Sequence, residues 1–283
     1  MNDASLEWYC GDRILAFRER PRIMGILNVT PDSFADGGQH LGVEQAIAHG
    51  LRMMEEGADI VDVGGESTRP GAEEVAAEEE LRRVLPVVEA LAGRGALVSI
   101  DTRKAPVAGA AVRAGARIIN DVTALAGDAE MPEVARRSGA GVVLMHMQGA
   151  PRTMQADPRY TDVVAEVAGY LERRVRALEA AGLERRRMAV DPGIGFGKTA
   201  EHNLRLLGNL PRLCALGLPV VVGLSRKSFL GKLTGRAVGD RVAGSVAALA
   251  YCVIRGAHVM RVHDVRESCD AVKVATALRR AGE

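Results

Sequence analysis

Eight short apolar runs in this 283-residue chain carry polar side chains at their ends or just beyond them: Asn28, Asp62 with Glu66, Asp101, Asn120 with Asp121, His146, Asp191, Ser225 with Lys227, and Arg261 with His263. Carboxylates and amides such as Asp101, Asn120 and Asp191 can read a flat, donor-rich heterocycle by hydrogen bonds. Cations such as Arg69, Lys227, Arg261 and His263 can hold a multiply charged anion. A heterocycle carrying a phosphate or diphosphate fits both halves.

A lone Asp after a strand ordinarily caps the next helix. Capping does not cover Asp62, Arg261 and His263, which lie within their runs rather than after them. At the mouth of an otherwise apolar barrel such groups must be paired with each other or with a ligand.

The elements that must position these residues follow from hydrophobic periodicity. Runs rich in Val, Ile, Leu and Met predict strands at 23–29, 60–64, 97–101, 118–121, 142–146, 188–191, 220–224 and 259–263. Amphipathic stretches between them predict helices near 43–56, 74–92, 105–114, 130–138, 160–181, 201–216, 240–255 and 266–280. Continuous apolar strands alternating with helices fit a parallel sheet covered on both faces. Eight βα units suggest an α/β fold of the (β/α)8 TIM-barrel class, with a doubly wound open sheet as the rival. Residues 22–283 then form the barrel. Residues 1–21 are a short N-terminal extension that could fold as a hairpin or plug at the barrel bottom.

Several motifs need weighing. The stretch from Asp191 through Lys198 to Thr199 invites a phosphate-loop reading, but Pro192 stands where that pattern needs its first glycine. It reads instead as a turn whose glycines let the backbone approach something closely. The glycines and Pro70 of residues 64–71 suit a loop that closes over a ligand. The acidic run 73–80 reads as the solvated first turns of a helix. Ser225-Arg-Lys-Ser228 opens a short helix whose free N–H groups could meet an anion. Lys227 could alternatively form a Schiff base, with Arg226 lowering its pKa.

Composition narrows the classes. The chain is 47% hydrophobic and 3% aromatic, with net charge +1, which argues against disorder, a nucleic-acid surface or a membrane-seeking face. Its four cysteines are widely separated and its six histidines lack metal-ligand spacing, so reduced thiols and no protein-caged zinc are expected. Magnesium carried mostly by a diphosphate would be more natural. No stretch has the length of a membrane span or the character of a signal peptide, so a cytoplasmic protein is expected.

Residues Met24 to Phe34, followed by Asp36-Gly-Gly38, closely resemble the first signature of the dihydropteroate synthase family, and Asp62 to Gly71 resembles the second. Ser99-Ile-Asp-Thr102, Ile119-Asn-Asp121, Met145-His-Met-Gln-Gly149, Asp191-Pro-Gly193, Ser225 to Ser228 and Arg261-Val-His-Asp264 follow in matching order. The resemblance spans about residues 22–280 and implies condensation of a dihydropterin diphosphate with p-aminobenzoate in folate biosynthesis. It implies pterin binding by Asp62, Asp101, Asn120, Met145, Asp191, Lys227 and Arg261. It places the diphosphate with Asn28, Arg69, Arg261 and His263, and p-aminobenzoate with Phe34, Thr68, Pro70, Phe196, Lys227 and Ser228. Catalysis falls to Asp101, Asp191, Lys227, Arg261 and His263. The resemblance further implies Mg2+ at Asn28 and a homodimer. A corrinoid-linked pterin methyltransferase would share the barrel and carboxylates but not need the Ser-Thr-Arg-Pro loop or the Arg-Val-His set. A pterin-binding paralogue without turnover and a Schiff-base lyase each fit part of the same pattern.

Overall fold

Side chains in a strand alternate between two faces, and the eight parallel strands use that alternation to separate two cores. Outward residues such as Ile23, Leu27, Val61, Val63, Ile100, Leu144, Val190 and Val222 pack in one cluster with helix residues Val84, Leu91, Val107 and Leu171. Inward residues Met24, Ile60, Ile118, Val143, Ala189, Val221 and Val259 form a second, separate cluster. On four of these strands, moving up by one two-residue period converts the inward layer from apolar to polar. Ile60 is followed by Asp62, Ile118 by Asn120, Ala189 by Asp191 and Val259 by Arg261.

The computed structural model describes residues 6–30, 38–67, 74–149 and 153–282. A hairpin of β1 (Glu7–Cys10) and β2 (Arg13–Ala16) precedes the barrel. The barrel strands are β3 (Arg22–Asn28), β4 (Ile60–Gly64), β5 (Val98–Asp101), β6 (Ile118–Asp121), β7 (Gly141–Met145), β8 (Met188–Asp191), β9 (Val221–Gly223) and β10 (Val259–Val262). The helices are α1 (Gly38–Glu55), α2 (Ala77–Ala92), α3 (Ala105–Arg113), α4 (Met131–Ser138), α5 (Val163–Ala180), α6 (Ala200–Gly208), α7 (Leu210–Cys214), α8 (Ser228–Thr234), α9 (Val242–Ile254) and α10 (Val265–Ala281).

The strand order is β8-β7-β6-β5-β4-β3-β10-β9. A parallel bridge from Val190 to Val220 joins the two ends, and the Val190 N–H donates to the Pro219 carbonyl at 2.9 Å. That contact decides between the two candidate architectures in favour of the barrel. One expected helix, 201–216, is two: Pro211 in the first turn of α7 has no N–H to extend α6, and the chain breaks at Asn209. Among the described residues no helix is long and apolar enough to cross a membrane.

The hairpin closes the bottom of the barrel. Trp8, Cys10 and Phe17 join the inner cluster, completing a floor that the strands alone leave thin. Trp8 is fully buried and its indole N–H donates to the Arg187 carbonyl at 2.9 Å. Trp8→Phe keeps most of the apolar volume but orphans that carbonyl, so urea denaturation should read a loss of about 1–3 kcal/mol.

Candidate active site

The polar tier at the C-terminal mouth is one connected network. Arg261 on β10 spans it: Nε donates to Asp62 Oδ2 at 2.6 Å and Nη2 to Asp101 Oδ2 at 2.6 Å. Asn120 Nδ2 donates to the same Asp62 oxygen at 3.0 Å. Strand register steps the network along the mouth: Asp62 lies opposite Ile26 and Ser99, and Asp101, one two-residue period further on, lies opposite Gly64 and Asn120, a step that the Arg261 guanidinium bridges. Gly64 and Gly223 face it without side chains. A Cβ on Gly64 would lie 3.5 Å from that of Asp101, and one on Gly223 3.8 Å from that of Arg261.

Two buried carboxylates share one guanidinium, so the network lacks one cation. Burial pushes Asp101 up to about 7; Arg261 opposes this and the nearby Asp62 carboxylate adds to it. Asp62 Oδ1 and Ser99 Oγ are buried without a hydrogen-bond partner. In a protein interior such atoms are costly unless a ligand or water meets them. The pocket floor therefore offers acceptor oxygens to a donor-rich ligand.

Asp191 and Lys227 stand on the far side of the mouth. Asp191 Oδ1 accepts from the Gly193 N–H at 2.7 Å, and burial raises its pKa against the pull of Lys227. Lys227 donates to the Ile194 carbonyl and its Nζ lies 4.5 Å from the Phe196 ring centroid. Burial lowers Lys227 to about 8; Asp191 opposes this and Arg261 reinforces it. Arg226, expected to influence that lysine, turns away: its Nε donates to Asp264 at 3.0 Å. His263 Nδ1 sits 3.1 Å from Ser225 Oγ. Asn28 is half-buried at the end of β3 beside Gly64, and Met145 is buried at the register position of Asp191. Ser228 is exposed at the start of α8. Phe34, Thr68, Arg69 and Pro70 lie outside the described residues.

The acidic run before α2 corrects one expectation. Glu80 is fully buried, not solvated. Its Oε2 accepts from Lys104 Nζ at 2.5 Å, and Lys104 also meets Glu66. Arg103 bridges Glu66 at 3.2 Å and Glu74 at 2.7 Å. The cluster ties the chain on both sides of residues 68–73 to the segment after β5.

Sequence reasoning also missed the roles of Lys198 and His146, both buried beside this mouth. The Gly193–Lys198 turn was legible as a close-approach turn, but not what it approaches.

The chain matches the pterin binding enzyme family over residues 24–263. Dihydropteroate synthase of Escherichia coli (strain K12) is 47% identical over 264 residues, covering 93% of each chain. The solved dihydropteroate synthase of Xanthomonas albilineans with 4-aminobenzoic acid superposes with a TM-score of 0.90 at 53% identity, covering 96% of this chain and 98% of that one. The same organism's enzyme in complex with 7,8-dihydropteroate gives a TM-score of 0.87 at 50% identity, over 96% and 98%. A closed eight-stranded barrel, a polar tier rich in hydrogen-bond acceptors and relatives this similar over nearly their whole length agree: the chain belongs to the pterin-binding enzyme family, as a transferase of the dihydropteroate synthase group.

Proposed function

We propose that this protein joins (7,8-dihydropterin-6-yl)methyl diphosphate to p-aminobenzoate, giving 7,8-dihydropteroate and diphosphate. The observation that carries this reading is the network of Asp62, Asn120, Asp101 and Arg261, with free acceptor capacity on Asp62 Oδ1. A pterin presents N–H donors on one edge, and buried carboxylates at the barrel mouth match them. Asp191 and Lys227 meet the ring from the other side, with Met145 beneath. Arg69, Arg261 and His263 take the diphosphate. Phe34, Thr68, Pro70, Phe196, Lys227 and Ser228 surround the aryl amine.

The aryl amine is a neutral nucleophile at pH 7 and needs no strong base. The harder event is departure of the diphosphate. The C–O bond to the pterin methylene breaks first, its electron pair leaving with the diphosphate, in an SN1-like step. Asp101 and Asp191 stabilise the resulting cation through their charges. The amine nitrogen then forms the C–N bond and loses a proton to solvent. Residues 28–40 and 65–72 exclude water that would capture the cation.

Among the described residues no group of three His, Cys, Asp or Glu could cage a metal. Asn28 offers a single hard oxygen at the strand end. That donor set fits Mg2+ held chiefly by the diphosphate's own oxygens and by water. Bound there, the ion would neutralise charge developing on the leaving group.

The test is turnover: purified protein with the dihydropterin diphosphate, p-aminobenzoate and magnesium should yield dihydropteroate and diphosphate. Pterin binding without product would favour a silent paralogue or a methyltransferase. A second measurement follows from Asp101. A pterin N–H bonds the ionised carboxylate more strongly than the neutral acid, and burial pushes Asp101 up to about 7 in the free protein. Binding should therefore release protons near pH 7 and weaken on acidification, approaching tenfold per pH unit below about pH 6. Calorimetry in buffers of different ionisation enthalpy reads this directly; no proton release would rule out Asp101 as the acceptor.

We further propose a homodimer in the cytoplasm. Tyr251 and Ile254 of α9 and Val274 and Leu278 of α10 are exposed apolar residues on two helices packed together, and such patches commonly mark interaction surfaces. Sedimentation should give a dimer mass.

A further inference from the structure

The glycine-rich turn after β8 fails the phosphate-loop pattern at Pro192, and its lysine is spent on protein groups. Lys198 is 3% exposed. Its Nζ has three acceptors: Phe196 carbonyl at 2.9 Å, His146 Nδ1 at 3.0 Å and His146 carbonyl at 3.3 Å. An ammonium has three N–H donors, so the geometry suits the protonated lysine with none left over for a ligand. His146 must then accept through Nδ1 and carry its proton on Nε2. Burial, with Lys198 second, lowers His146 to about 3, which keeps the ring neutral. Burial also brings Lys198 down to about 7, Asp191 opposing.

The turn is pressed flat against the end of β7. Gly193 has φ +65° and a Cβ there would sit 1.9 Å from the His146 carbonyl oxygen; Gly197 has φ +59° and a Cβ would sit 2.4 Å from that of Gln148. No other residue type permits this approach. Other polar groups of the turn are taken as well. Tyr160 Oη donates to the Gly197 carbonyl at 2.8 Å, Gln155 to the Gly195 carbonyl, and the Gly195 N–H to Asn203 Oδ1 at 2.8 Å. Lys198 is the only member of this set that is both buried and bonded to the backbone of both segments. It fixes the carbonyl of Phe196, the residue whose ring lies against Lys227.

We propose that Lys198 is a positioning residue for the aryl amine half of the reaction, locking Phe196 and its turn onto the end of β7. This rests on the proposed placement of p-aminobenzoate at Phe196 and Lys227. Lys198 touches no substrate; it acts through the Phe196 carbonyl. Of the pterin contacts, Asp62, Asp101, Asn120 and Arg261 hang on other strands, whereas Asp191 and Lys227 also touch this turn, at the Gly193 N–H and the Ile194 carbonyl, so the pterin side should feel the change less than the aryl amine side.

The experiment pairs Lys198→Met with His146→Phe. Lys198→Met should raise KM for p-aminobenzoate about tenfold while KM for the dihydropterin diphosphate rises no more than about threefold, the smaller change passing through Asp191 and Lys227 where they meet the turn. Hydrogen exchange at the amides of residues 195–197, measured without substrates, should accelerate at least tenfold. His146→Phe keeps both carbonyl bonds and should change each quantity less than threefold. Should Lys198→Met fail to fold, Lys198→Gln retains an amide donor and should give an intermediate shift in the same direction. Equal changes in both KM values, or unchanged exchange, overturn the assignment. If wild type makes no product from p-aminobenzoate, the reading of the reaction fails, and this proposal with it. If wild type turns over and Lys198→Met leaves the p-aminobenzoate KM untouched, only this proposal fails.

Discussion

Replacing Arg261 by Met is expected to cost about 3–5 kcal/mol of stability and at least about a hundredfold in kcat/KM. The stability loss comes from what remains: Asp62 and Asp101, 1% and 9% exposed, would face each other without their shared cation. A chain of this size loses roughly 2–4 °C of Tm per kcal/mol, so a fall of about 6–20 °C is expected by calorimetry. The pH dependence carries the diagnosis. Asp101 is already raised above its ordinary value, so the native state binds more protons than the unfolded state between the two values. Stability is therefore lost as pH rises through that window. Without Arg261 the native value climbs further, and the variant should lose additional stability between pH 7 and 8, where wild type changes little. Adding Asp62→Asn should recover part of the loss, because one of the two competing carboxylates is gone. A double variant no more stable than the single one would sink the shared-cation account.

Asp191→Asn tests chemistry rather than folding. The amide can still accept from the Gly193 N–H, so the turn should survive. What disappears is a negative charge beside Lys227 and at the mouth where positive charge develops. The expected loss in kcat is about 2.7–4 kcal/mol in activation free energy, or a hundred- to a thousandfold. Asp191 also holds Lys227 up against burial, so the lysine should titrate below about 8 in the variant. A kcat within threefold of wild type, with unchanged pterin affinity, would remove Asp191 from the mechanism.

Much of this site is legible in the sequence because strands obey a local rule. Asp62 and Arg261 stand inside apolar runs, and a two-residue period puts them on the same face as Ile60 and Val259, one step nearer the mouth. No capping role explains them, so a paired or ligand-binding role is readable. The order and type of the elements are also readable locally, since short continuous apolar runs alternating with amphipathic stretches describe βα units wherever they occur.

The errors share a cause. Glu80 looks like any acidic residue in a first helical turn, and only Lys104, brought in by the neighbouring α3 segment, makes it a buried partner. Arg226 is adjacent to Lys227 in sequence, yet Arg261, far along the chain, is the arginine that lowers its pKa. Lys198 follows a glycine-rich turn that says the backbone approaches something closely, without saying that the object is the end of β7 rather than a phosphate.

The sequence by itself determined the eight βα units and the chemical character of the barrel mouth, because each depends on spacing within a few residues; which face of each apolar strand turns inward came only with the closed barrel. The tertiary structure alone decided that β8 meets β9 to close the ring, that one arginine is shared by two carboxylates and that Lys198 is spent on backbone carbonyls. Those outcomes depend on distances between residues tens to hundreds of positions apart, and charge pairing and desolvation follow distance in space, not order in the chain.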